Sequence, residues 1–247
     1  MKKLVSIGLL LVTSMVIFAG WDSIHMTFPT KQTATEKSSG EDTSAPNRKE
    51  NTEHPVEVAR EGNLVLVNKQ HALSEEVNPN DLVYPEVPFT FSEKIDKRKL
   101  QKEAAEALED LFLGASSDGI SLLGVSAYRS HESQKNVFDH YVHQDGEEMA
   151  MTYSAVPGHS EHETGLAIDV TGGNGQCQAE ECFADTVEAK WLADHAAEYG
   201  FIIRYPKGKE SITGYEYEPW HLRYVGKDVA LEIASKGITL EEYLGAV

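Results

Sequence analysis

Two short and widely separated segments constrain this chain more than any other feature. The first runs from Ser160 to Asp169 and contains His162, and the second runs from Glu218 to His221. Together they hold two imidazoles and two carboxylates beside short apolar runs. Residues this far apart in the chain meet only if a tertiary fold brings them together, so we expect both segments to lie at one site.

The chemistry of these side chains is typical of a mononuclear zinc hydrolase. Imidazole nitrogen and carboxylate oxygen are good zinc ligands, and a catalytic zinc uses three protein ligands and keeps a fourth position for water. We therefore predict one Zn²⁺ per chain, held by His162, Asp169 and His221. The free carboxylate, Glu218, is the predicted catalytic base. His159 lies close enough in sequence to be a rival ligand.

The backbone between these residues carries two further signals. Gly165 permits a tight path between His162 and Asp169. Glu218 and His221 are three residues apart and would face opposite sides of a regular strand. Because Pro219 disfavours a regular strand, we expect a bend there that turns both side chains towards the metal.

Composition excludes some functions. The formal net charge is −18, so the chain lacks the basic surface that nucleic-acid binding requires. With 40% hydrophobic and 25% charged residues, the sequence is typical of a globular protein. We expect a monomer.

The N-terminal region predicts export. Lys2 and Lys3 precede an apolar stretch, and we assign residues 1–21 to a signal peptide or an uncleaved N-terminal anchor, the only expected membrane contact. Trp21 stands where a lipoprotein signal needs Cys. Residues 22–60 are polar and predict a flexible linker, and residues 61–247 are the predicted catalytic domain. We expect the mature chain at the outer face of a bacterial membrane, in the cell wall or outside the cell.

The chain has two cysteines, Cys177 and Cys182. Export favours a disulfide between them, although the two thiolates are also possible metal ligands. The pair follows Asp169 closely, so we expect this loop to border the active site and to influence specificity.

Periodicity predicts an α+β fold with a small, mostly antiparallel sheet flanked by helices. The predicted helices are 97–113, 130–142, 185–199, 229–234 and 240–244, and the predicted strands are 64–67, 122–128, 166–170, 201–204 and 217–224.

These motifs resemble a known family. The pattern Ser160-x-His162-x-x-Gly165-x-Ala167-x-Asp169, followed by Glu218-x-x-His221 and preceded by Ser126-Ala127-Tyr128-Arg129-Ser130-x-x-x-Gln134, is similar to the VanY-type zinc D-alanyl-D-alanine carboxypeptidases, which include LdcB-like L,D-carboxypeptidases. The resemblance covers about residues 64–244. It implies a fold of the hedgehog and D-Ala-D-Ala peptidase type and the zinc ligands and base assigned above.

The resemblance also implies substrate-binding residues. Arg129 is expected near the scissile carbonyl, as a catalytic residue, or near the substrate carboxylate, since a guanidinium suits both roles. A structural salt bridge is the alternative. Gln134 and Ser160 are expected either to bond the peptide or to brace the site, and Tyr217 and Trp220 either to line the groove or to pack in the core.

From these residues we predict a D,D-carboxypeptidase that removes the terminal D-alanine from peptidoglycan stem peptides. The alternatives are an L,D-carboxypeptidase or an endopeptidase on the same polymer, a non-catalytic module that binds or senses the cell wall, and a zinc-free structural domain.

Overall fold

The computed structural model describes residues 62–247, and the predicted signal or anchor and the linker lie outside them. Within this part of the chain, four antiparallel strands form one sheet in the order β1-β2-β4-β3. The strands are β1 (Leu122–Ser126), β2 (Ala167–Gly172), β3 (Phe201–Ile203) and β4 (His221–Tyr224).

Seven α-helices accompany this sheet in residues 62–247, so the predicted α+β class with a small antiparallel sheet is confirmed. None of these helices combines the length and apolar character that a membrane span requires. The helices are α1 (Lys102–Ser117), α2 (His131–Asp145), α3 (Glu147–Tyr153), α4 (Val187–His195), α5 (Glu210–Thr213), α6 (Lys227–Lys236) and α7 (Leu240–Leu244).

Local sequence sets where several helices begin. The Ser130 hydroxyl caps α2 by accepting a hydrogen bond from the Ser133 amide. Thr239 and Glu242 form a capping box at the start of α7. These caps satisfy amide donors that a helix N-terminus otherwise leaves unpaired.

The core lies between the sheet and its helices. Leu108 and Leu111 of α1 pack in one cluster with Ile168 of β2 and Leu222 of β4. A second cluster joins Ile202 of β3 to α6 and α7. Because Ile168 and Leu222 are also partners in the β2–β4 register, burial of these side chains holds the two strands in one alignment.

Two predicted strands differ from the structure. Residues 64–67 are not a strand, although Val65, Leu66 and Val67 are buried. Instead, the Val65 carbonyl accepts a hydrogen bond from the Arg223 side chain, 2.8 Å away. Burial of this apolar run therefore does not come from a strand ladder.

The strand predicted at 217–224 begins only at His221. Before it, the His221 amide donates to the Glu218 carbonyl at 3.2 Å and closes a turn that contains Pro219. The bend expected at this proline is present.

The loop between His162 and Asp169 provides a prediction about stability. Gly165 has φ +69°, and a Cβ there would lie 2.9 Å from Leu82 Cδ2 in the core. Gly237 has φ +61°, and a Cβ there would meet nothing within 4 Å. We expect Gly165→Ala to lower the free energy of unfolding by about 1 kcal/mol more than Gly237→Ala, because only the first adds a steric clash to the backbone strain. Denaturant unfolding measures both, and equal losses would contradict the account.

Candidate metal centre

The register of β2 and β4 builds the metal centre. Asp169 pairs with His221 across the two strands, and His162 lies in the short 3-10 helix Glu161–Thr164 before β2. The Asp169 carboxylate has one oxygen 3.3 Å from His162 Nε2 and the other 3.0 Å from His221 Nδ1. All three side chains are buried. The structure thus brings the three predicted ligands together.

This arrangement fits a zinc ion. Zinc bonds of about 2.0–2.1 Å in tetrahedral geometry separate ligand atoms by about 3.3 Å, close to the observed spacing. His162 Nδ1 lies 2.8 Å from the Ala127 carbonyl, so its donation there leaves Nε2 for a metal. Burial lowers the pKa of His162, which favours the neutral form that a metal needs. The rival His159 bonds the Asn68 carbonyl instead, at 2.7 Å.

One cavity contains every predicted site residue. Its volume is about 490 Å³. Tyr217 and Trp220 also line it, although Trp220 packs against the main core as well. The predicted site residues in its wall are Arg129, Gln134, Ser160, His162, Asp169, Glu218 and His221.

The surroundings of Glu218 disfavour its charged form. Burial, assisted by the negative charge of Asp169, raises its pKa to about 8, against the opposing charges of His221 and Arg129. The turn at Pro219 places Glu218 and the predicted ligand His221 in the wall of the same cavity. A carboxylate of raised pKa beside a metal centre suits proton transfer near neutral pH.

Among residues 62–247, Arg129 makes no structural salt bridge. Its guanidinium donates to Gln134 Oε1 at 2.8 Å and to the Ser126 hydroxyl at 3.3 Å, and both acceptors are uncharged. Gln134 in turn donates to the Ala155 carbonyl at 2.7 Å. With both ends of its amide bonded, Gln134 has the contacts of a brace for Arg129. The Ser160 side chain does not cap the 3-10 helix that follows it, and Ser160 lines the cavity.

Sequence reasoning missed three residues here. Glu161 is fully buried and lies 3.4 Å from His221 Nε2. The ring of Tyr205 lies 5.0 Å from that of His221. Tyr215 lines the cavity, and its buried hydroxyl has no hydrogen-bond partner within residues 62–247. The sequence shows these residues near the motifs but carries no sign of their burial.

Comparison with known proteins identifies the family. Residues 97–227, more than half of the chain, match the family described as VanY: D-alanyl-D-alanine carboxypeptidase. The chain belongs to the VanY family.

Individual relatives agree with this assignment. The chain is 52% identical over 184 residues to the putative carboxypeptidase YodJ of Bacillus subtilis, a match that covers 74% of this chain and 67% of that relative. The LdcB LD-carboxypeptidase structure is 52% identical, with a TM-score of 0.69, over 74% of this chain and 85% of that one. A Zn(II) complex of a mutant of the vancomycin-resistance D,D-pentapeptidase VanY is 32% identical, with a TM-score of 0.58. The match covers 74% of this chain and 98% of that one.

As a VanY-family member, the chain is a zinc carboxypeptidase, and the zinc cofactor predicted from the sequence is confirmed. The ligand and base roles of individual residues rest on the geometry above.

A disulfide borders the centre of this VanY-family chain. Cys177 and Cys182 are bonded, with their Cα atoms 5.6 Å apart. Ala179 and Glu181, which both lie between the two cysteines, line the cavity. Ala179 has φ +52°, a backbone conformation that a short closed loop helps to hold.

The raised pKa of Glu218 predicts a pH-dependent stability in the zinc-free protein. A carboxyl whose pKa is higher folded than unfolded stabilises the fold at low pH, and that contribution is lost as the pH rises through about 8. Glu218→Gln cannot ionise. In chelator-treated protein we expect Glu218→Gln to raise the Tm by about 2 °C or more at pH 8.5 and by less at pH 5.

The exposed neighbour Glu216 provides the matched control, since Glu216→Gln should leave the Tm nearly unchanged at both pH values. Thermal unfolding followed by circular dichroism measures all three proteins. A Glu218→Gln effect that is the same at pH 5 and pH 8.5 would contradict the assigned environment.

Proposed function

We propose that this VanY-family chain removes the C-terminal D-alanine from peptidoglycan stem peptides. The observation that carries the proposal is the guanidinium of Arg129, which lines the ligand cavity and has no carboxylate partner among the described residues. A guanidinium held by two neutral acceptors is ready to bind the terminal carboxylate of a peptide in a two-pronged geometry. That recognition suits an enzyme that cuts one residue from the C-terminus.

The remaining residues have roles that follow from their positions. We assign His162, Asp169 and His221 as zinc ligands. When bound, zinc supplies Lewis acidity that polarises a carbonyl and acidifies water. Glu218 accepts a proton from the attacking water and delivers it to the departing amine. Gln134 holds the Arg129 guanidinium in place, and the Ser160 hydroxyl is available to the peptide backbone.

Two bonds are candidates for cleavage. Our sequence-based prediction is the D,D bond at the end of a pentapeptide, which the family description supports. A second candidate is the L,D bond at the end of a tetrapeptide. The identity of 52% with the LdcB LD-carboxypeptidase, against 32% with the D,D-pentapeptidase, favours this second bond. Both reactions release D-alanine and use the same groups.

Export remains a proposal that the disulfide supports. Residues 1–21 and 22–60 lie outside the described residues, but a disulfide persists mainly in oxidising compartments. We propose that the chain works outside the cytoplasmic membrane as a monomer.

The activity test uses the zinc-loaded full chain. D-Alanine release is measured from a muramyl pentapeptide and from the matching tetrapeptide, with and without a chelator. We expect chelator-sensitive release from at least one of them. Glu218→Gln should retain zinc and lose about a hundredfold or more of kcat. Release from the pentapeptide supports the D,D bond, and release only from the tetrapeptide supports the L,D bond.

The same assay tests the role of Arg129. A preferred peptide that carries a C-terminal carboxamide lacks the charge that Arg129 is proposed to bind, so we expect little cleavage of it. Equal cleavage of the acid and the amide would favour an endopeptidase. A zinc-loaded protein that releases nothing from any of these peptides would overturn the proposal and favour a wall-binding module.

The disulfide loop provides a test of specificity. We expect Cys177→Ser together with Cys182→Ser to change the ratio of tetrapeptide to pentapeptide cleavage by about threefold or more, because Ala179 and Glu181 lose their fixed position in the cavity wall. Glu181→Gln, which keeps the bridge, separates the charge of the rim from its rigidity. An unchanged ratio in the double variant would mean that the loop does not select the substrate.

A further inference from the structure

We propose that Glu161 is a positioning residue that decides which nitrogen of His221 faces the metal. This inference rests on the zinc site proposed above and assigns a role to a side chain that is not itself a ligand. The Glu161 carboxylate accepts a hydrogen bond from the protonated Nε2 of His221. Nδ1 is therefore the nitrogen left for zinc.

The distances around His221 separate its two nitrogens. Nδ1 lies 3.0 Å from Asp169 Oδ1, on the side of the ring where Asp169 and His162 meet. Nε2 lies on the other side, 3.4 Å from Glu161 Oε2. His162 has the opposite arrangement, because its Nδ1 is bonded to the Ala127 carbonyl and its Nε2 faces Asp169. The two histidines therefore present different nitrogens to one metal position.

A buried cluster of charges holds Glu161 in place. Its Oε1 atom accepts hydrogen bonds from Arg204 Nε and Arg223 Nη1, each at 2.6 Å. Both arginines are completely buried. Arg204 also binds Glu241 through two hydrogen bonds of 2.9 and 2.6 Å. Burial alone raises the pKa of Glu161, but the charges of Arg204 and Arg223 outweigh it and hold that pKa well below its usual range.

The two carboxylate oxygens of Glu161 have different partners. Oε1 serves the two arginines, which can only donate, and Oε2 faces His221. A carboxylate can serve both sides because both of its oxygens accept. A carboxamide of the same shape cannot, since it has one oxygen and one NH₂ group.

This difference makes Glu161→Gln an informative variant. If the amide oxygen faces Arg204 and Arg223, the NH₂ group points at His221 Nε2. A histidine that coordinates zinc through Nδ1 carries a proton on Nε2, so two donors would then face each other. If the amide is reversed, the NH₂ group faces two guanidinium donors. The first orientation removes the acceptor for the Nε2 proton of His221, and the second sets donor against donor at the arginines that hold residue 161 in place, so zinc binding weakens in both.

Glu241 and Glu163 provide matched controls. Glu241→Gln removes a negative charge from the same arginine cluster, and no described contact joins Glu241 to His221. Glu163 is equally buried in the same 3-10 helix but bonds His131 and the Gly158 amide. An effect that comes only from weakening the buried cluster should therefore appear in the control variants, whereas loss of His221 positioning should appear only in Glu161→Gln.

The first measurement is the zinc Kd of the full chain, by competition with a chromophoric chelator. We expect Glu161→Gln to raise the Kd by about 10- to 100-fold. Glu241→Gln and Glu163→Gln should raise it by about threefold or less. Equal Kd values for wild type and Glu161→Gln, or an equal rise in Glu241→Gln, would overturn the proposal.

The second measurement needs no variant and applies even if Glu161→Gln fails to fold. Nitrogen-15 NMR of the zinc-loaded wild-type protein, labelled at histidine, reports which nitrogen of each ligand is coordinated. We expect Nδ1 coordination and a retained Nε2 proton at His221, with the reverse at His162. Coordination of His221 through Nε2 would overturn the proposal.

These outcomes are distinct from failure of the proposed function. A wild-type chain that binds no zinc would remove the proposed metal centre itself. A chain that binds zinc tightly but releases no D-alanine would refute the proposed reaction and leave the role of Glu161 open to both measurements above.

Discussion

The antiparallel pairing of β2 with β4 is the contact on which the rest of the site depends. Ile168 pairs with Leu222, and the next pair in the register is Asp169 with His221. The first pair is buried in the main core, and the second forms two corners of the metal centre. A shift of one residue would turn both pairs to the wrong face of the sheet. Burial of Ile168 and Leu222 therefore also fixes the positions of the Asp169 and His221 side chains.

The outer strands place the supporting residues. β1 pairs with β2, with Ser126 opposite Asp169, and the chain then continues into Arg129 at the cavity wall. β3 pairs with β4 and leads directly into Arg204, the anchor of Glu161. The proposed substrate-binding arginine and the anchor of Glu161 thus come from opposite edges of one small sheet, and both lie beside the same pair of central strands.

Two glutamates near His221 show how the surroundings decide the role of a residue type. Glu161 is hydrogen-bonded to two buried arginines and stays ionised, so it remains a hydrogen-bond acceptor. Glu218 has no bonded arginine within residues 62–247, and burial raises its pKa to about 8, which suits a group that takes up and releases a proton. Environments that push two carboxyl groups in opposite directions are a recurrent way to separate structural and catalytic duties.

Much of this organisation was predictable, because ligand chemistry and amphipathic periodicity are local properties. The α+β class, helix α7 and the choice of candidate metal ligands all follow from residue type and spacing. The segment 64–67 was predicted wrongly as a strand because apolar runs are buried with or without a ladder. Helix α3 was missed, and so was Glu161, whose role depends on Arg204 and Arg223 from distant strands.

The sequence by itself determined the candidate donor atoms for zinc, the carboxylate proposed as base and the arginine proposed to bind the substrate. Only the tertiary structure decided that Arg129 has no ion-pair partner among the described residues and that Gln134 donates and accepts in a way that braces it. It also decided that Glu161 faces the remote nitrogen of His221. The reason is physical: the identity of a donor or acceptor belongs to one residue, whereas its burial, its partner and its protonation belong to the contacts that folding creates.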